Sequence, residues 1–229
     1  MQALLYDVHG NLPALEAVLA DARGAGAERW LLGGDYALFG GWPEDCVARL
    51  EALPDAVWIR GNGERWTANP ADAPDNPVVP GAVQACREAL GDALTQDLAG
   101  LPFDHVDADT YACHASPISD LRSFLPEPAD DEPDLLAGVT ARRMIFGHTH
   151  LPFRRTRDDG IELVNPGSVG MPFDGDTRAA YALVHAGGEI EHRRVAYDHA
   201  VSAARVRERF GAGWADVVAR RIEQAAMVD

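Results

Sequence analysis

The stretch Met144-Ile145-Phe146-Gly147-His148-Thr149-His150 is an apolar run that reads as a strand and breaks at glycine into two histidines spaced i, i+2. In an extended chain, residues two apart point to the same side, so both imidazoles can face one point. Histidine is the commonest metal ligand, with one ring nitrogen free to bind, and the pair therefore reads as half of a metal site. A closed site needs more convergent donors than two, so the fold turns on which other strand ends meet this one.

Upstream, the same pattern recurs. Residues 3–6 form a short apolar strand that runs into Asp7-Val8-His9-Gly10-Asn11 and then a helix, with Asn11 as N-cap, Pro13 in the first turn and a stripe of Leu15, Val18, Leu19 and Ala22. Trp30-Leu31-Leu32 breaks into Gly33-Gly34-Asp35, residues 43–53 read as a helix, and residues 56–59 break into Arg60-Gly61-Asn62-Gly63-Glu64. Residues 110–113 end in His114-Ala115-Ser116-Pro117. Strand alternating with helix predicts a largely parallel sheet whose functional loops lie along one edge. Val83, Cys86, Leu90, Leu94 and Leu98 give a further helix, closed by Pro102, while the proline-rich segments 69–80 and 126–133 read as surface excursions. A short helix starts at Leu135 and Leu136. After His150 the rhythm becomes strand and turn: residues 153–157 with 161–164 and 179–184 with 190–195 read as hairpins, followed by helices over 201–210 and 214–222.

With 229 residues, 47% of them hydrophobic, the chain can fill a sizeable core, and one domain over 1–229 is expected, its C-terminal helices starting near 198. The start is neither basic nor apolar enough for a signal peptide, and no stretch is long enough for a membrane span. Cys46, Cys86 and Cys113 are too few and too scattered for a disulfide framework, so a reducing cytoplasm is expected, with Cys113 as a strand residue rather than a nucleophile. The net charge of −16, from 36 acidic and 20 basic residues, disfavours nonspecific nucleic-acid or anionic-membrane binding. Bound divalent cations would reverse the field inside a single cleft.

Five apolar runs end in groups able to bind a metal: Asp7 with His9, Asp35, Asn62, His114, and His148 with His150. Seven mixed oxygen and nitrogen donors exceed the needs of one tetrahedral ion, whereas two ions sharing a carboxylate would use them all. Asp35, the lone carboxylate on its loop, is the natural bridge. Such a pair suits phosphate ester cleavage, since it activates water and clamps the phosphoryl oxygens of an in-line displacement.

In this order, Asp7-x-His9, Gly34-Asp35, Gly61-Asn62, His114 and Gly147-His148-x-His150 resemble the calcineurin-like metallophosphoesterase family. The segment Asn165-Pro166-Gly167-Ser168-Val169-Gly170, followed by Asp174-Gly175-Asp176, resembles that family's small bacterial and archaeal phosphodiesterases. The resemblance runs to about Tyr197. It implies an α/β fold, a four-layer sandwich of two mixed β-sheets flanked by helices. It also implies that Asp7, His9, Asp35 and His150 hold one divalent ion and that Asp35, Asn62, His114 and His148 hold the other. Manganese is a common occupant in the family; iron, nickel, zinc and cobalt also occur.

Many members follow Gly-Asn with a histidine that assists the leaving group; here that position is Gly63, so the general acid is unassigned. The small-phosphodiesterase branch often departs at this position, which favours a phosphodiesterase attacking its small phosphate-ester substrate with a metal-bridging hydroxide. Phosphomonoester or phosphoserine hydrolysis is the catalytic alternative, and a metal-binding scaffold is the alternative of another class; a homo-oligomer is compatible with either. Asn62 is expected to stabilise the phosphate, and Asn11 and Glu64 are candidate substrate contacts, although an N-cap role suffices for Asn11 and pairing with Arg60 and Arg65 for Glu64. Asn165-Pro166-Gly167 is expected to shape the site's far wall, where an asparagine at a strand end can orient a metal-bound histidine.

Overall fold

The computed structural model describes residues 1–211 and 213–228. In chain order the elements are β1 (Gln2–Leu5), α1 (Leu12–Gly24), β2 (Arg29–Leu32), α2 (Pro43–Glu51), β3 (Ala56–Trp58), α3 (Asn62–Ala68), α4 (Val79–Ala99), β4 (Asp104–Asp107), β5 (Thr110–Cys113), α5 (Glu132–Leu135), β6 (Arg143–Ile145), β7 (Phe153–Thr156), β8 (Glu162–Asn165), β9 (Ala179–Val184), β10 (Ile190–Val195), α6 (His199–Phe210) and α7 (Gly213–Gln224). Among the described residues the strands form two five-stranded mixed sheets, ordered β10-β9-β1-β2-β3 and β4-β5-β6-β8-β7. This is the sandwich that the resemblance implied. The strand ends do not line the edge of one parallel sheet: β1, β2 and β3 belong to the first sheet and β5 and β6 to the second, so the five loops meet across the seam between them.

The period-2 alternation of each strand explains the layering. On β1, Ala3 and Leu5 pack with Leu15, Val18 and Leu19 of α1, while Leu4 on the opposite face, with Tyr6 just beyond the strand, packs with Ala112, Ile145 and Val164 of the other sheet. On β5 and β6 the far face, Cys113 and Met144, packs under Phe124, Leu135 and Leu136. The free, buried Cys113 has its thiol pushed up by burial, which suits a packing role. The C-terminal pair α6 and α7 forms its own cluster against Val78 and Met171, around Ala203, Val206, Val218 and Ile222.

Both expected hairpins form, β7 with β8 and β9 with β10, and both pair antiparallel. Several elements depart from the sequence reading; the short helix expected to start at Leu135 instead ends there, as α5 over Glu132–Leu135. Residues 104–107, not read as a strand, form β4, which pairs antiparallel with β5 at the sheet edge, where exposure of Val106 and Asp107 is tolerated. Gly61-Asn62 reads as a turn, but the chain enters α3 directly at Asn62. The long helix α4 starts within the expected excursion, Pro80 occupying its tolerated first turn, and it breaks at Gly91 (φ 73°).

At the end of β2 the buried Tyr36 hydroxyl lies 2.8 Å from the Leu32 carbonyl and 2.6 Å from that of Ile59, and it accepts the Ile59 N–H at 3.2 Å, tying two strand ends beneath the site. Tyr36→Phe keeps the ring but leaves buried polar groups short of a partner; it is expected to lower urea-unfolding stability by about 1–2 kcal/mol. A variant as stable as the parent would show that the hydroxyl ties nothing.

Candidate metal centre

Five of the seven expected ligands sit in left-handed backbone: Asp7 (φ 54°), His9 (48°), Asp35 (57°), His148 (68°) and His150 (60°). That conformation costs a non-glycine residue roughly 1–2 kcal/mol and persists only where surrounding contacts dictate it. Here the loops bind one another. The amides of Asp7, His9 and Gly10 donate to the carbonyls of Gly34, Asp35 and Tyr36, Gly147 N–H donates to the His114 carbonyl, and His148 N–H donates to Asp7 Oδ2 at 3.0 Å. Gly34 (φ 96°) permits the closest approach: a Cβ there would lie 2.6 Å from Gly61 N and 2.8 Å from His114 Nδ1.

Three imidazoles are held in one tautomer. His9 Nδ1 donates to the Leu38 carbonyl at 3.0 Å, His114 Nδ1 to that of Gly33 at 2.7 Å and His150 Nδ1 to that of Met171 at 2.5 Å. A carbonyl cannot donate, so each Nδ1 carries the proton and each neutral ring turns a bare Nε2 inward. Burial holds His9 down to about 3 and depresses His114 and His150 too, so a second ring proton is disfavoured. The Nε2 atoms of His9 and His150 nevertheless face each other at 3.1 Å. Two lone pairs so placed repel unless a cation lies between them.

The carboxylates complete the set. Asp7 Oδ1 is buried with no hydrogen-bond partner, 3.6 Å from His150 Nε2 and 4.0 Å from the Nε2 of both His9 and His114. Asp35 is split between two halves, Oδ2 lying 3.8 Å from His9 Nε2 and Oδ1 3.6 Å from His114 Nε2. Donor atoms of Asp7, His9 and His150 lie within 4.8 Å of one another, as do those of Asp7, Asp35 and His114, so Asp7 is common to both groups. One terminal atom of the Asn62 amide is 2.9 Å from both His114 Nε2 and His148 Nδ1, bringing the last two expected ligands onto the second half. Burial, then the Asp35 charge, raises Asp7 well above the usual carboxylate range, and burial raises Asp35 to about 7. Cations among these groups would reverse that balance, favouring ionised carboxylates. The donors thus fit a pair of divalent ions.

The two candidate substrate contacts lie elsewhere. Glu64 is buried, and its carboxylate accepts the N–H groups of Asp35 (2.9 Å), Tyr36 (2.8 Å) and Gly61 (2.8 Å). It pins the Asp35 loop to the Asn62 loop and is not a solvated partner of arginine; Arg65 pairs with Asp120 at 2.7 Å, and Arg60 donates to the Ala99 carbonyl. Asn11 is likewise spent: Oδ1 caps α1 at Ala14 and accepts from Ser202, while Nδ2 donates to the Gly170 carbonyl and to Tyr197. The Nδ2 of Asn165 donates to the Gly147 carbonyl and to Thr149, so it holds the His148–His150 loop through its backbone and Thr149 rather than through a ring.

The donors open on a cleft of about 300 Å³ whose walls include Phe39, Trp66, Val79, Met171, Phe173, Arg221 and Met227. Phe173 stacks on His150 at 4.3 Å and Phe39 tilts against His9 at 5.5 Å, fixing the rings from the cleft side. These wall residues carry no pattern beyond ordinary core or helix positions, and sequence reasoning passed over them.

A sandwich of two mixed sheets with seven donors at its seam defines a metallophosphoesterase. The pattern of the calcineurin-like phosphoesterase superfamily domain matches residues 2–189, and the chain belongs to this superfamily of metal-dependent phosphoric ester hydrolases. An uncharacterized protein of Methanocaldococcus jannaschii is 27% identical over 221 residues, covering 86% of this chain and 88% of that one. Among solved structures, a metallophosphoesterase from Sphaerobacter thermophilus superposes with a TM-score of 0.84 at 27% identity, over 98% of this chain and 99% of the other. A hypothetical protein from Pyrococcus horikoshii OT3 shares the fold, with a TM-score of 0.82 at 22% identity over 94% and 96% of the two chains.

Glu64→Gln replaces one acceptor oxygen by a donor that faces backbone N–H groups, so metal affinity is expected to fall by about 10- to 100-fold, read by titration of the chelated protein. Unchanged affinity would remove Glu64 from the support of Asp35. Chelation of the parent protein should lower the melting temperature by roughly 5–10 °C, the scale of ligand-linked stabilisation in a chain of this size. A shift within error would mean that the facing lone pairs and carboxylates are relieved without cations.

Proposed function

We propose that the chain is a dinuclear phosphodiesterase in which Asp7, His9, Asp35 and His150 hold one divalent ion and Asp35, Asn62, His114 and His148 hold the other. The observation that carries this reading is the inward convergence of three proton-free Nε2 atoms on the unpartnered Asp7 Oδ1. Asp35 is the proposed bridge, because its two carboxylate oxygens face different halves, whereas Asp7 turns the single Oδ1 toward both. Manganese is the proposed occupant from the family resemblance; the carboxylate and amide oxygens suit it, while the imidazoles equally suit iron, nickel or zinc. Two such ions, when bound, lower the pKa of water at the site and offset the charge on phosphoryl oxygens.

The chain's own residues supply orientation and a dry wall. The Asn62 amide, beside both rings of the second half, is in place to hold a phosphoryl oxygen. Phe39, Trp66, Met171 and Phe173 keep water from the organic group on phosphorus, and their apolar surface supports a diester over a monoester. Gly63 brings no side chain to the leaving group. Among the described residues lining the cleft, every carboxyl and imidazole belongs to the proposed ligand set. Water therefore protonates the leaving group, which favours substrates with good leaving groups.

After chelation and restoration with manganese, the protein is expected to hydrolyse a chromogenic aryl diester faster than the matching monoester. The opposite order would overturn the diester assignment, and metal binding without activity on either would favour a scaffold. Asp35→Asn is expected to take metal stoichiometry from two ions to one or none and to reduce turnover by at least about 100-fold. A variant that still binds two ions would sink the bridge.

A further inference from the structure

The cleft does not end at the metal centre. A second cavity of about 250 Å³ adjoins it, walled by Asn76, Pro77, Val78, Val79, Val217 and Arg221. Asn76, Val79 and Arg221 line both spaces, so the two volumes meet at those side chains. Among the described lining residues Arg221 is the only guanidinium or ammonium group.

Arg221 is held in place by the C-terminal helix and the chain beyond it. Val218 and Ile222 of α7 are buried in a cluster with Met171 and Val78, which anchors the helix to the cleft wall. Val217, one turn before Arg221 on the same helix face, lines the second cavity. Gly175 N–H donates to the Ala225 carbonyl at 2.9 Å, tying the end of α7 to the loop that carries Met171 and Phe173. Arg221 Nε donates to the Val228 carbonyl at 2.8 Å, which fixes the direction of the guanidinium.

A chain of net charge −16 repels anions except where positive charge is concentrated. The metal centre and Asn62 serve the scissile phosphate. Arg221 lies where the cleft leads away from them into an apolar pocket, a cation placed for a different group. We infer that Arg221 binds a second anionic group on the substrate's organic portion, with the adjoining apolar part seated against Pro77, Val78 and Val217. The substrate class is then a phosphate ester of an alcohol that itself carries a phosphate or similar anion. This inference rests on the phosphoesterase reading of the metal centre. A guanidinium matches such a group with paired, charge-assisted hydrogen bonds, and lysine matches it less well.

The test uses the manganese-restored protein and two chromogenic substrates with the same scissile bond, 4-nitrophenyl thymidine 5′-phosphate with and without a 3′-phosphate. The 3′-phosphate is expected to lower KM about tenfold with kcat little changed, the scale of one charge-assisted pair. Arg221→Gln should erase that difference in KM between the two substrates, and Arg221→Lys should restore part of it. Equal KM values in the parent protein, or a loss in Arg221→Gln that is the same for both substrates, would overturn the inference while hydrolysis itself upholds the phosphoesterase reading. Failure of the parent protein to hydrolyse either substrate would overturn that reading and the inference with it.

Discussion

Three buried imidazoles give their Nδ1 protons to backbone carbonyls of Gly33, Leu38 and Met171 and turn unprotonated Nε2 atoms toward a carboxylate that has no partner of its own. In a low-dielectric interior that arrangement is costly by itself, since neither lone pairs nor carboxylates can satisfy one another. Burial responds by driving the imidazoles neutral and the carboxylates toward protonation. Divalent cations reverse both tendencies at once, because they take lone pairs from each donor and supply the missing positive charge. The rest of the molecule holds these donors in place against their repulsion.

That holding is done by backbone more than by side chains. Five proposed ligands sit at positive φ; the loops that carry them exchange amide and carbonyl bonds within each sheet, and the seam is crossed by His148 N–H on Asp7 Oδ2 and by His114 Nδ1–H on the Gly33 carbonyl. Glu64 adds a carboxylate that gathers three N–H groups from two loops, converting a buried charge into a splint. Its role is close to that of a metal ligand in consequence, yet it touches no proposed ion. Gly34 contributes by absence: any side chain there would push the Asn62 and His114 loops apart.

The C-terminal helices add a wall to this centre. Their apolar faces pack on the same loop whose Phe173 braces His150, so the support of a ligand and the shape of the cleft share one cluster around Met171. Met171 and Phe173 thus belong both to the packing of the C-terminal helices and to the surroundings of His150.

Much of the candidate site could be read from the chain, because each proposed ligand follows a short apolar run and the side chains are chemically distinctive. Asp7, His9, Asp35, Asn62, His114, His148 and His150 stood out for that reason, as did both hairpins and the terminal helices. Composition and periodicity could not tell that Glu64 faces inward or that Asn11 is consumed by Ser202 and Gly170, since both depend on neighbours 28 and 191 positions away. They could not divide the strands between two sheets either, because a short buried strand looks the same in each. The amino-acid sequence by itself determined which groups are available, their order and the strand ends that carry them, since those follow from local pattern. Only the tertiary structure decided which ring nitrogen is bare, which carboxylate oxygen faces which half and which cation lines the cleft, because tautomer, backbone strain and burial are set by long-range contacts.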